Sequence, residues 1–423
     1  MVKKNRAVLA GLGLIATAAL LISACSSADE PNEEPTASAE DGVPFGSPME
    51  VWHEAFEDVE PITLIVQTPG PKGSPVGAKE EAYYAAVEQW SNGKIAFDIA
   101  YANAIAGVLD APQAIAEGRL DMSIVLPTYE AERFPTYVAV ATGTVIPESS
   151  AVVGMLQQHA WMWDVGWHNQ DVIDEFTDAG LAIIEPFNIS TENYPFICTQ
   201  ERTSAQDVAG AQIVASSAVL ASQLTALGAS PVFISPYELF EGLQRGTVAC
   251  TATAPQNAIS QGIYDVAPYL NTFTTTFALT PGALAIGKDV YDSLPLVARQ
   301  LLFDRTDVFL RVQIESTWTA NQDSVATAKE AGGGVFPVSR ELNGRLADFN
   351  GTILDDLRAA HGDAFVQTMI DANERWYDVI VDDLGYDPDV TLDTLADYLP
   401  TMPDLEAYME AVFQSILDVR PSE

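Results

Sequence analysis

The stretch that decides the fold is ASSAVLASQLTALGASPVFISPYELFEGLQRGTVACTATAP, residues 215–255. Its first half has a helical apolar spacing that runs to Leu227 and stops at Gly228, a residue suited to the left-handed turn that closes helices. An apolar strand around Val232 to Ile234 follows. A second helix then runs to Arg245, stops at Gly246, and leads into a strand from Thr247. Helices alternating with short apolar strands are the repeating unit of an α/β sheet.

The same alternation appears nearer the N-terminus. In PITLIVQTPGPKGSPVG (61–77) a mostly apolar strand, Ile62 to Val66, runs into a loop dense in Gly and Pro. AKEEAYYAAVEQWSNGKIAFDIAYA (78–102) places Tyr83, Ala86, Val87 and Trp90 at helical spacing, ends the helix at Asn92-Gly93, and opens a strand at Ile95. APQAIAEGRLDMSIVLPTY (111–129) adds a helix ending at Gly118 and a strand from Met122 to Leu126. Two separated series of this kind predict two α/β lobes. The 423 residues, 48% of them hydrophobic, suffice for two cores of ordinary domain size.

Charge narrows the partners. With 59 acidic against 20 basic residues the formal net charge is −39. Such a surface repels nucleic acid and anionic lipid alike.

The N-terminus has the three regions of a signal peptide over residues 1–24: Lys3, Lys4 and Arg6, an apolar run from Ala7 to Ile22, then small residues. The run is short for a membrane span, which needs about 20 apolar residues. Leu21-Ile22-Ser23-Ala24-Cys25 resembles the lipobox of bacterial lipoproteins. That resemblance implies a diacylated Cys25 as the first mature residue. Residues 25–60, which begin SSADEPNEEPTASAEDG after the cysteine, read as an acidic flexible spacer with too little apolar surface to offset chain entropy. The expected location is extracytoplasmic, with the membrane reached by the lipid alone.

Cys198 and Cys250 remain. An even pair in an oxidising compartment suggests one disulfide, and two buried free thiols are the alternative.

Five pieces, SNGKIAFDIAYA, EGRLDMSIV, QDVAGAQI, TALGASPVFISPYELFEGLQRGTV and GKDVYDSLPLVARQLL, resemble in order and spacing the DctP-type solute-binding proteins of TRAP transporters, from about Ile62 to about Ala372. The resemblance implies a two-lobed periplasmic-binding-protein-like fold with a hinge, crossing strands and a long connecting helix. Lobe one would span 61–185 plus 274–313, and lobe two 186–273 plus 314–423. FLRVQIESTWTANQDSVATAKEAGG (309–333) would supply the long helix. A small organic solute would be caught between the lobes and passed to TRAP permease membrane subunits, with no cofactor, metal or catalytic residue.

At one position the chain departs from this family. The segment matching GAQIVASS normally carries an Arg that grips a substrate carboxylate, and here the position is Val214. A second basic position of some members falls at Asn188, and the family's usual Asn at Thr253. Since a buried carboxylate without a charged partner is costly, a solute with neutral hydrogen-bonding groups fits better. The candidate pocket residues are Gln67, Tyr129, Asn188, Val214, Ser216, Thr253 and Asn257.

HAWMWDVGWHNQ (159–170) invites thoughts of a metal site, an aromatic cage or a membrane-touching surface, but a packing helix is the simpler reading. The chain contains no GxSxG, HExxH or GxxxxGK motif, so a lipoprotein hydrolase has no sequence support. A binding lipoprotein of an ATP-driven importer is the nearer alternative, since it too is a tethered two-lobed receptor.

Overall fold

The computed structural model describes residues 38, 40, 42–398 and 404–422. The expected signal peptide and Cys25 lie outside them. In chain order the strands are β1 (Ile62–Gln67), β2 (Ile95–Ala100), β3 (Met122–Val125), β4 (Leu181–Asn188), β5 (Phe196–Cys198), β6 (Gln212–Val214), β7 (Ser230–Val232), β8 (Cys250–Ala252), β9 (Tyr269–Thr272), β10 (Gly282–Gly287) and β11 (Gly334–Pro337). They form two sheets, one in the order β2-β1-β3-β10-β4 and one in the order β11-β9-β5-β8-β6-β7.

Strand direction places the working edge. In the first sheet β1 runs parallel to β2 and β3, and β10 is antiparallel to both β3 and β4, so β1 to β4 all point one way. In the second, β6 is parallel to β7 and β8, β5 is antiparallel to β8 and β9, and β11 follows β9. The chain passes from the carboxyl end of β4 to the amino end of β5 through residues 189–195, and from the carboxyl end of β9 to the amino end of β10 through residues 273–281. Both crossovers therefore join the carboxyl edges of the two sheets.

A helix of 25 residues, Thr306–Glu330, ties the halves together a second way. Phe309 near its start packs with Leu64, Val66 and Leu302 of the first sheet's core, while Ala328 near its end packs with Tyr264 and Leu270 beneath the second. At 1.5 Å per residue it is about 37 Å long, enough to reach across both cores.

Each face of the first sheet is covered. Leu64, Val66, Met122, Ile184, Leu284 and Ile286 meet Tyr83, Tyr84 and Val87 of helix Ala78–Trp90. Val125, Ile183, Phe187, Ala283 and Ala285 face the other core, built on Phe134, Tyr137, Trp161, Trp163 and Phe176. Ile183 and Ile184 lie in different cores, and the β4–β10 register shifts twice around Glu185. The cause is Pro186, which has no N–H to give the ladder and so favours a bulge there.

Helix Val153–Trp167 is buried at every position. Trp161 donates to the Met369 carbonyl at 2.8 Å and Trp163 to Glu185 Oε1 at 3.2 Å. The tryptophans are core anchors, as the simpler reading held.

Cys198 and Cys250 face each other across the β5–β8 pair and form a disulfide. Three local readings need correction. The strand placed at Val232 to Ile234 is Ser230–Val232, the three residues that pair with Gln212 to Val214 of β6. The strand placed from Thr247 begins only at Cys250. The spacer drawn to residue 60 is also too long, since a short helix, Met49–Ala55, leads with its neighbours into the first core. There Val43, Trp52, Phe56 and Val59 are buried. Trp52, Ala55, Phe56 and Val59 stand at i, i+3, i+4 and i+7, a short helical period that the acids around it obscured.

Candidate functional site

The facing carboxyl edges carry an unusual concentration of exposed apolar side chains. Tyr129, 55% exposed, follows β3, and Leu109, 57% exposed, lies on the loop after β2. Val76 lies on the loop after β1, and Phe233, 63% exposed, directly follows β7. Among the described residues only Phe45 adds another exposed large hydrophobic side chain. Apolar surface left open at converging strand ends marks a ligand cleft.

Polar candidates divide between the two edges. On the first, Gln67 is buried and its amide is already engaged, donating to Ala106 O at 3.0 Å and Ser123 Oγ at 3.3 Å while accepting from Ala106 N at 3.2 Å. It pins the loop after β2 and leaves its amide little to offer a solute. Asn188, at the carboxyl end of β4, has an amide nitrogen without a hydrogen-bond partner. On the second edge, Thr253 and Asn257 touch, with Nδ2 of Asn257 donating to Oγ1 of Thr253 at 3.4 Å. Ser216 is exposed beyond β6. Val214 is 9% exposed and packs with Val232, Leu239 and Leu243.

The crossovers are laced together by residues that sequence reasoning missed. Asn193 donates to Thr275 O at 3.1 Å and accepts from Phe277 N at 2.9 Å. Tyr194 OH meets Thr280 Oγ1 at 3.1 Å. Glu192 accepts from Asn321 Nδ2 at 3.2 and 3.3 Å, fastening the first crossover to the long helix. Burial pushes the Glu192 carboxyl up to about 7, against the pull of these hydrogen bonds. No motif announces such residues, because each is an isolated polar side chain whose partner lies about 80 to 130 positions away.

Between the loop Gly73–Ala78, the residues Gln256, Ile259 and Ser260, and the long helix from Val312 to Asp323 lies a cavity of about 620 Å³. It forms one end of the space between the edges. The strand-end segments and crossovers (68–77, 101–109, 126–130, 189–195, 215–217, 233–237, 253–257 and 273–281) carry Lys72, Glu130 and Glu192 as their only charged residues. None contains an arginine. Among the described residues no group of three His, Cys, Asp or Glu side chains is arranged to hold a metal, and no helix is long and apolar enough to cross a membrane.

Two α/β sheets joined by paired crossovers, with ligand-facing surface between their carboxyl edges, define a two-lobed solute-binding protein. The sequence model for bacterial extracellular solute-binding protein, family 7 (DctP) matches residues 66–350, more than half the chain, and the chain belongs to that family. The family is extracytoplasmic, and its members are binding proteins rather than enzymes. No curated protein matches the chain in sequence.

Solved structures agree on the fold. A TRAP periplasmic solute-binding protein from Ochrobactrum anthropi, with its C-terminus bound in the ligand-binding pocket, matches at a TM-score of 0.65 and 18% identity, covering 78% of this chain and 100% of that one. One from Desulfovibrio salexigens with bound orotic acid gives 0.60 and 18%, covering 75% and 99%. One from Chromohalobacter salexigens with bound D-glucuronate gives 0.59 and 16%, covering 73% and 99%.

Proposed function

We propose that the protein captures a small organic solute between the facing carboxyl edges and delivers it to the membrane subunits of a TRAP-type transporter. The observation that carries this reading is the set Val76, Leu109, Tyr129 and Phe233, apolar side chains held open to water on both edges. Closure about the laced crossovers would bury them against a solute. Of the lobes implied by the sequence, 61–185 with 274–313 and 186–273 with 314–423, the two sheets support the division of the strands but not the placing of the chain's end. Trp376 and Tyr408 donate to Asp164 and Leu156, Trp161 donates to Met369, and Phe413 meets Trp163, so the chain's end packs on the tryptophan-rich helix of the first lobe. The second boundary falls within β4, whose last residues, through Asn188, belong to the first sheet.

The solute class follows from charge. Orotic acid and D-glucuronate, bound by the two relatives above, are both acids. Val214 here stands where the family's carboxylate-gripping Arg is expected, inside an apolar cluster. A neutral polar solute with an apolar face suits this cleft. Asn188, Ser216, Thr253 and Asn257 would supply its hydrogen bonds and Tyr129 its stacking surface, with Gln67 as a positioning residue. Cys25 would tether the receptor near its permease and raise its effective concentration there.

Native mass spectrometry of the protein as purified tests the reading, followed by calorimetry with whatever solute is retained. A retained neutral metabolite that binds stoichiometrically, with affinity lost in Tyr129→Ala, is expected. Micromolar binding of succinate or malate to the unaltered protein overturns the assigned solute class. A broad metabolite screen in which nothing binds overturns the receptor assignment.

A further inference from the structure

The chain after residue 350 lies beyond the segment matched by the family model, and solute capture as described makes no use of it. Helix Asp363–Asp378 lies on the tryptophan-rich helix of the first lobe, where Gln157 Nε2 donates to the Asn373 carbonyl at 2.9 Å and Trp376 Nε1 to Asp164 Oδ2 at 2.8 Å. Helix Glu406–Ser415 lies on it as well, with Tyr408 OH donating to the Leu156 carbonyl at 2.9 Å and Phe413 edge-on to Trp163. Both ends of this segment are therefore fastened to the first lobe.

Between the two anchors the chain reaches across to the second lobe. The buried Val390 still belongs to the first, since its carbonyl accepts from Ala151 N at 3.1 Å. Leu392 then packs against the apolar cluster beneath the second sheet, which includes Leu270 and Ala328. Asp393 Oδ1 meets Lys329 Nζ, in the last turn of the long helix, at 2.6 Å. Residues 387–394 thus form a strap that leaves the first lobe, seats two side chains on the second, and returns.

The order of the strands shows on which side of the hinge the strap lies. In the first sheet the open apolar residues follow β1, β2 and β3, and the crossovers leave from β10 and β4 at the other flank. In the second, Val214, Phe233 and Thr253 end or follow β6, β7 and β8, whereas β9 and β11 lie on the far side of β5. The strap faces that far side. Together with the crossovers it encloses a cavity of about 300 Å³, with Pro388, Val390 and Leu392 on one wall and Asn193, Phe273 and Pro337 on the other. The crossovers stand between the cleft and the strap.

A lobe that turns about the crossovers moves its two flanks in opposite senses. Drawing β6 to β8 toward β1 to β3 therefore carries the seats of Leu392 and Asp393 away from the strap, which its anchors hold to the first lobe. Contacts made only while the cleft is open stabilise the open state alone. We propose that residues 387–394 are a strap that holds the lobes apart, and that its seats at Leu392 and Asp393 set how much of a solute's binding energy is spent on closure. The proposal rests on the reading of the molecule as a closing receptor. A screen in which nothing binds overturns that reading, whereas the strap is tested without any solute.

Nitroxide labels at Asp110→Cys and Glu238→Cys, exposed positions near Leu109 and Phe233 on opposite rims, report the separation of the lobes by pulsed electron spin resonance. The Cys25→Ser chain is used, because Cys198 and Cys250 are joined and no other thiol then takes a label. The protein is first shown by native mass spectrometry to be free of solute. With Leu392→Ser and Asp393→Asn combined, the population at short distance is expected to rise about threefold or more over that of the unaltered strap. Asp393→Asn alone removes only an exposed ion pair, should shift the distribution less but in the same direction, and serves if the double variant does not fold. A distribution equal to that of the unaltered strap in whichever variant folds, or one moved to longer distance, overturns the proposal.

Discussion

Val214 and Glu192 show how much a single side chain can redirect. Val214 was legible as an exception because it occupies a position where the family resemblance sets an expectation. Glu192 was not, since nothing in ISTENYP marks one acid as buried. In the folded protein its carboxyl rises from the ordinary 4.5 to about 7. Between those values the folded state binds more protons than the unfolded one, so this group's contribution to stability falls as pH rises through that window. The fall is expected to reach about 3 kcal/mol. Comparing urea unfolding at about pH 5 and about pH 8 checks it. Glu192→Gln should flatten the difference relative to the unaltered protein, and an equal slope in both would show that Glu192 is ionised throughout.

Among elements, the ones the sequence marked best are those with a strong period or a glycine stop. Helix 309–333 was expected and Thr306–Glu330 is found. The tryptophan-rich helix was expected to pack and does. What the period concealed is a polar stripe on the long helix. Gln313, Thr317, Asn321 and Ser324 recur at helical spacing, which ordinarily means a solvated face, yet all four are buried. Asn321 shows why, since the stripe meets the polar crossover at Glu192. The β5–β8 pairing likewise brings Cys198 and Cys250 into register from 52 positions apart. In the chain-entropy account that bridge stabilises by roughly 4 kcal/mol. Replacing both cysteines by Ala should lower the urea midpoint accordingly, and an unchanged midpoint would mean that the reduced chain is already constrained.

At the scale of the whole molecule, the resemblance of residues 21–25 to a lipobox leads to the proposal that Cys25 tethers the body to the membrane. Cys25→Ser is expected to release the protein from the membrane fraction of expressing cells, and continued sedimentation with membranes would argue for another anchor. The sequence by itself determined the α/β class, the long helix, the pairing candidates among the cysteines and the acidic, nucleic-acid-averse surface. These rest on local periodicity, composition and counts that survive without coordinates. Only the tertiary structure decided which apolar side chains stay open at the cleft, that Gln67 is spent on Ala106 and Ser123, that residues from Val43 onward join the core, and that Glu80, Glu185 and His159 are each buried. The physical reason is that burial and partnership belong to pairs of distant residues, and a linear pattern records neither.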